Sequence, residues 1–284
     1  MRIDGHHHLW SLARGDYGWL TPELAPLHRD FGLPDLVPHL AAAEIEGTIL
    51  VQAAPTEAET LYLLDIANTT ELVRGVVGWT DFDAADAVAR IDALCAQQLL
   101  VGLRPMVQDI ADDDWLLRPA LAPLLAAMAR GGLVFDALVK PRHLQNLLQI
   151  VDRHSDLTFV LDHCGKPALA SGETESWQGD IARLAERPNI VCKLSGLVTE
   201  AKLDWQVADL RRTVDHVLAC FSPQRLLWGS DWPAVNLAGG YAQWLAATET
   251  LLADLSRHEK ADILGGTAAR IYLSSRGCTL PGPR

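Results

Sequence analysis

The chain has 284 residues, with 36 acidic against 24 basic side chains and a formal net charge of −12. That balance, with no Lys/Arg-rich run, argues against a nucleic-acid partner, which is met by basic patches. No apolar run approaches the roughly 20 residues of a membrane span, residues 1–10 lack an apolar stretch of signal-peptide type, and five scattered cysteines without a C-x-x-C (Cys95, Cys164, Cys192, Cys220 and Cys278) read as thiols of a reducing compartment, so a cytoplasmic enzyme without a membrane partner is expected.

In chain order, eight short aliphatic runs read as strands: Arg2–His8, Thr48–Ala53, Gly75–Thr80, Val101–Met106, Leu133–Val139, Thr158–His163, Ile190–Ser195 and Leu226–Ser230. Helical spacing fills the intervals at Thr56–Asn68, Ala84–Leu94, Leu116–Arg130, Pro141–His154, Trp177–Arg187, Asp204–Cys220 and Tyr241–Ser256. After the second strand the strand starts lie about 25–36 residues apart, close to one βαβ unit of about 30 residues. Such alternation implies a parallel sheet, and eight repeats imply closure into one (β/α)₈ TIM-type barrel spanning residues 1–284 as a single domain. Residues 9–47 form a longer first connection, expected as a loop over the mouth followed by a helix near Pro34–Glu44. Residues 274–284 read as a loosely held tail.

Several polar residues fall at predicted strand ends, where barrel enzymes build their sites. The first strand contains Asp4-Gly5-His6-His7-His8. Alternation along a strand puts Asp4, His6 and His8 on one face, so His6 and His8 can converge on one cation or one substrate oxygen. Asp231, in Gly229-Ser230-Asp231-Trp232-Pro233, sits where the eighth strand opens, and a carboxylate there can bind a metal or act as general base. His163 ends the sixth strand and is expected to share the inward face with Phe159 and Leu161, as ligand, carbonyl polariser or proton shuttle. Arg104 ends the fourth strand and Gln52 the second; both are candidate substrate contacts. Lys193 lies within an aliphatic strand. Burying it unpaired is costly, so it is expected to face the mouth and neutralise developing negative charge. Of nine tryptophans, Trp10, Trp79 and Trp232 fall at or just past strand ends and suit the ring of a sugar derivative.

The segments IDGHHHLW, DYGWL, VQAAPTEAET, GVVGW, GLRP, FVLDHCGKP, VCKLSGLVTEA, LLWGSDWP and ILGGTAARIY together resemble the amidohydrolase superfamily over nearly the whole chain. HCGKP, KLSGL and GSDWP are similar to its group of sugar-acid lactonases. The resemblance implies a hydrolase opening a sugar-acid lactone, an aldono-1,5-lactone such as L-fuconolactone, with a small-molecule substrate as its partner. It implies metal-site roles for His6, His8 and Asp231, water activation by Asp231, and a place near the lactone carbonyl for His163. Many amidohydrolases carry a bridging Lys or Glu on strand four and a His on strand five. Here those strands end in Arg104-Pro105 and Val139-Lys140-Pro141, with His143 beyond. The departure disfavours a two-metal centre and leaves one divalent ion, such as zinc, permitted but not required. The alternatives are a metal-dependent decarboxylase of an aromatic or unsaturated acid on the same barrel, and a sugar-acid-binding barrel without catalysis. The oligomeric state is not legible.

Overall fold

The computed structural model describes residues 1–274. Eight parallel strands pair in chain order: β1 (Ile3–His7), β2 (Gly47–Val51), β3 (Val73–Gly78), β4 (Leu100–Leu103), β5 (Val134–Ala137), β6 (Phe159–Leu161), β7 (Ile190–Leu194) and β8 (Leu226–Trp228). The ring is nearly closed. At the seam between β1 and β8, Asp231 N donates to His6 O (2.8 Å) and His8 N to Trp232 O (2.7 Å).

The expected helices follow as α1 (Leu33–Ala42), α2 (Glu57–Asn68), α3 (Ala87–Leu94), α4 (Leu121–Arg130), α5 (Leu144–Arg153), α6 (Glu175–Ala185), α8 (Val207–Phe221) and α9 (Tyr241–Leu251), joined by two short helices that were not expected, α7 (Leu197–Glu200) and α10 (Arg257–Ala261). Thr56 caps α2 by accepting from Glu59 N at 3.1 Å, as its residue type at that position favours. Among the described residues no helix is long and apolar enough to cross a membrane.

One face of each strand turns into the barrel. Ile3, Ile49, Val51, Val77, Val101, Val134, Val160, Val191 and Leu227 form a single inner cluster. Their neighbours, including Leu50, Phe135, Phe159, Leu161 and Trp228, join the larger core under the helices. The stretch after α10 was not anticipated as structure. It winds through two wide turns, Asp262–Gly266 and Ala269–Leu273, and delivers Ala268, Ala269, Tyr272 and Leu273 to the inner cluster as the barrel floor. Except for Ser274, the expected loose tail lies outside the described residues.

Two facing expectations are corrected. In β1, Asp4 pairs with Thr48 but His7 with Leu50, three steps against two. This bulge breaks the alternation. His6 and His8 still point inward, while Asp4 turns outward to Tyr241 Oη (3.1 Å) and Ser230 N (2.9 Å). In β6 the inward residues are Val160 and Asp162, whereas Phe159 and Leu161 face the helices. His163 therefore cannot reach the mouth by strand alternation.

Candidate active site

His163 reaches the mouth through a left-handed turn. It has φ 52°, and Cys164, Gly165 and Lys166 follow at 53°, 69° and 52°. Lys166 N closes the turn on His163 O at 2.9 Å. Room for the imidazole comes from Gly196, itself at φ 62°, where a Cβ would lie 2.4 Å from His163 Nδ1. Ser195 Oγ bonds that Nδ1 at 2.9 Å. Burial pushes the His163 pKa down to about 4, so the ring is neutral near pH 7.

Asp231, also at positive φ (56°), is fixed by the seam hydrogen bond that places it beside β1. Its Oδ1 lies 3.4 Å from His8 Nε2 and 3.7 Å from His6 Nε2. Those two ring nitrogens are 3.1 Å apart. Burial opposes the charge on Asp231, but His163, His8 and His6 outweigh it and hold the carboxyl below the usual range. His8 Nδ1 is 2.8 Å from Val51 O; a carbonyl only accepts, so Nδ1 carries the proton and Nε2 presents its lone pair to Asp231's neighbourhood.

A layer of buried charge lies directly beneath. Lys193 Nζ donates to Asp136 Oδ2 (2.5 Å), sits 3.0 Å from Asp162 Oδ1 and reaches His6 Nδ1 at 3.2 Å. Arg104 Nη1 pairs with Asp162 Oδ2 at 3.2 Å. Tyr272 rises from the floor and donates to Asp136 at 2.8 Å. Burial would raise the Asp162 pKa, yet Lys193, His6 and Arg104 keep it well below the usual carboxylate range. Burial lifts Asp136 to about 6.

Above this layer opens a cavity of about 350 Å³, at the small end of ligand-pocket sizes. His8, His163, Asp231 and Arg104 meet Trp10 and Trp19 on its wall. Other expected site residues lie elsewhere. Lys193 is fully buried and does not face the mouth, because Asp136 and Asp162 compensate its charge inside the barrel. His6 is likewise buried below the cavity surface. The Gln52 side chain donates to Arg104 O at 2.8 Å and the Gln52 backbone carbonyl accepts from the Arg104 guanidinium, so residue 52 orients that arginine. Trp79 lines a neighbouring cavity with Phe82 and Trp115. Trp232 packs edge-on against Phe31, with centroids 5.2 Å apart, behind the wall. Sequence reasoning missed Asp136, Asp162, Ser195, Trp19, Lys166 and Glu200. The first two had a signal: a lysine buried in an aliphatic strand requires carboxylates within reach, here from β5 and from the end of β6.

The donors suit a single metal ion. Metal–nitrogen bonds of about 2.0–2.1 Å separate tetrahedral ligand atoms by about 3.3 Å. The triangle of His6 Nε2, His8 Nε2 and Asp231 Oδ1 has edges of 3.1, 3.4 and 3.7 Å. His163 is a further donor, within 4.8 Å of His6 and Asp231. Lys193 and Arg104 also stand beside His6, and their pairing with Asp136 and Asp162 leaves this layer without net charge.

An eight-stranded α/β barrel with a histidine–carboxylate centre at its C-terminal mouth defines the class. The chain belongs to the amidohydrolase family, which it matches over residues 3–273. It is 43% identical to an L-fucono-1,5-lactonase of Burkholderia ambifaria over 97% of this chain and 96% of that one. An L-fucono-1,5-lactonase of Burkholderia multivorans is 38% identical, with 96% of each chain covered. A crystal structure of a Burkholderia multivorans amidohydrolase with bound zinc superposes with a TM-score of 0.90 at 37% identity, covering 96% of this chain and 99% of that one.

Proposed function

We propose that the protein hydrolyses a sugar-acid lactone, an aldono-1,5-lactone such as L-fuconolactone. The observation that carries the reading is an ionised Asp231 flanked by His8 and His163 at the base of a small-molecule cavity, in a chain 43% identical to a lactonase.

The lactone enters with its carbonyl carbon facing Asp231. Asp231 accepts a proton from water as the water oxygen bonds to that carbon. With Ser195 donating to Nδ1, the Nε2–H of neutral His163 polarises the carbonyl and receives the developing oxyanion. Collapse of the tetrahedral intermediate breaks the ring carbon–oxygen bond, and Asp231 returns its proton to the departing alkoxide. The open hydroxy acid leaves as a carboxylate. Arg104, oriented by Gln52, and the Trp10 face hold the ring.

His6, His8 and Asp231 would hold a zinc ion, which supplies Lewis acidity when bound. Cys164, Cys192 and Cys220 carry free thiols, which suits the reducing cytoplasm we infer for the enzyme.

Asp231→Asn tests the reading. Removing the base lowers lactone turnover by about 10²–10⁴-fold, read in a pH-indicator assay over aldonolactones of both enantiomeric series. Near-normal turnover by this variant removes the proposed base.

A further inference from the structure

The left-handed turn after β6 carries more than His163. Three of its four residues are non-glycine at positive φ, a conformation that L-residues resist. It is clamped from outside: Trp177 Nε1 donates to Cys164 O at 2.7 Å and Cys164 Sγ to Lys193 O at 3.3 Å. Delivering His163 requires the first of these residues. It does not require the conformation to persist through Lys166.

A turn closed from residue i to residue i+3 brings those two side chains over one another. Lys166 thus lies on the same side as His163, and both line the cavity. Lys166 Nζ stands 3.1 Å from Glu200 Oε1, with the two side chains 21% and 27% exposed. Glu200 closes α7, the short helix that begins just after Gly196, and also lines the cavity. Glu200 O accepts from Ala170 N at 3.0 Å, so the loops after β6 and β7 hold the pair jointly. A partly exposed ion pair contributes little stability, and stability alone leaves the strained turn unaccounted for.

We propose that Lys166 and Glu200 together bind two neighbouring hydroxyls of the substrate ring and thereby select among polyhydroxylated lactones. This rests on the lactonase reading. An ammonium has three donors and a carboxylate about four acceptor sites, so their mutual bond leaves both with capacity. Lys166 donates to one hydroxyl oxygen and Glu200 accepts from the next hydroxyl. A ring lacking either hydroxyl forfeits a hydrogen bond to a charged group.

The experiment crosses enzyme variants with substrate analogues. Wild type, Lys166→Met and Glu200→Gln are assayed with the best aldonolactone and each of its mono-deoxy analogues, and melting curves check folding. Wild type is expected to disfavour the analogues deoxygenated at two adjacent carbons by about 10–100-fold in kcat/KM, mainly through KM. In each variant that discrimination shrinks toward unity at those positions and persists elsewhere. Discrimination that stays unchanged at every position overturns the inference. If Lys166→Met melts early, Glu200→Gln, which keeps the shape, decides alone. Absence of turnover of every lactone by wild type fails the lactonase reading and this inference together; an unchanged discrimination removes only the inference.

Discussion

His6 is held from both sides. Lys193 Nζ, which only donates, meets its Nδ1, so Nε2 carries the proton and points at the bare Nε2 of His8. In this arrangement a chain of donors runs from Lys193 through His6 to His8 and ends on Val51 O. To hold the proposed zinc ion, His6 would have to reverse that order, freeing Nε2 and turning Nδ1–H toward Asp162, 3.7 Å away. His8 needs no such change, because its tautomer already offers a lone pair. His8→Ala should therefore weaken zinc binding at least about tenfold, measured by competition with a chromophoric chelator. Unchanged affinity would place the ion elsewhere. Lys193 also shows where residue-level reading stops. Its type announced a buried or functional charge, but which carboxylates answered it depended on strand order around the ring, and Asp136 and Asp162 lay hidden in runs that otherwise read as plain core.

At the level of elements, strand and helix alternation was legible because each βα unit repeats the same change of period. The local irregularities were not. The β1 bulge falls around Gly5, a residue type that can mark a bulge in a strand without telling which side chains it redirects, and it sends Asp4 outward. Gly5 faces inward, where a Cβ would meet Leu227 at 2.6 Å; this close approach is visible only once β8 is in place. The turn after β6 was hidden for a similar reason, since His163 and Gly165 tolerate positive φ but Cys164 and Lys166, which also adopt it, do not announce it. Its counterpart on β7 is testable. Gly196→Ala adds a Cβ in a left-handed position and against His163. Strain of about 1–3 kcal/mol is expected, seen as a lower melting temperature, with a fall in turnover as the imidazole is displaced. A variant as stable and active as wild type would show that the loop relaxes freely.

For the whole molecule, the floor is as much a part of the site as the mouth. Tyr272 fills the barrel from below, bonds Asp136 at 2.8 and 2.9 Å and lies under the Lys193 ammonium, 5.3 Å from its ring centroid. Truncation to alanine removes a fully buried ring and exposes the charge layer to a void. Tyr272→Ala should cost about 3–5 kcal/mol, the range for large aromatic losses, read as a shift of the urea midpoint at constant slope. A shift below about 1 kcal/mol would mean the floor segment packs independently of the barrel.

The seam between β1 and β8 has a temporal consequence. His6 and His8 belong to the first strand and its end, Asp231, the proposed base, follows the last, and the backbone bonds that shut the ring also hang Asp231 beside them. During synthesis on the ribosome, the nascent protein carries its imidazoles long before it gains the carboxylate that works with them. Under the proposed chemistry, activity switches on only when the circle is completed.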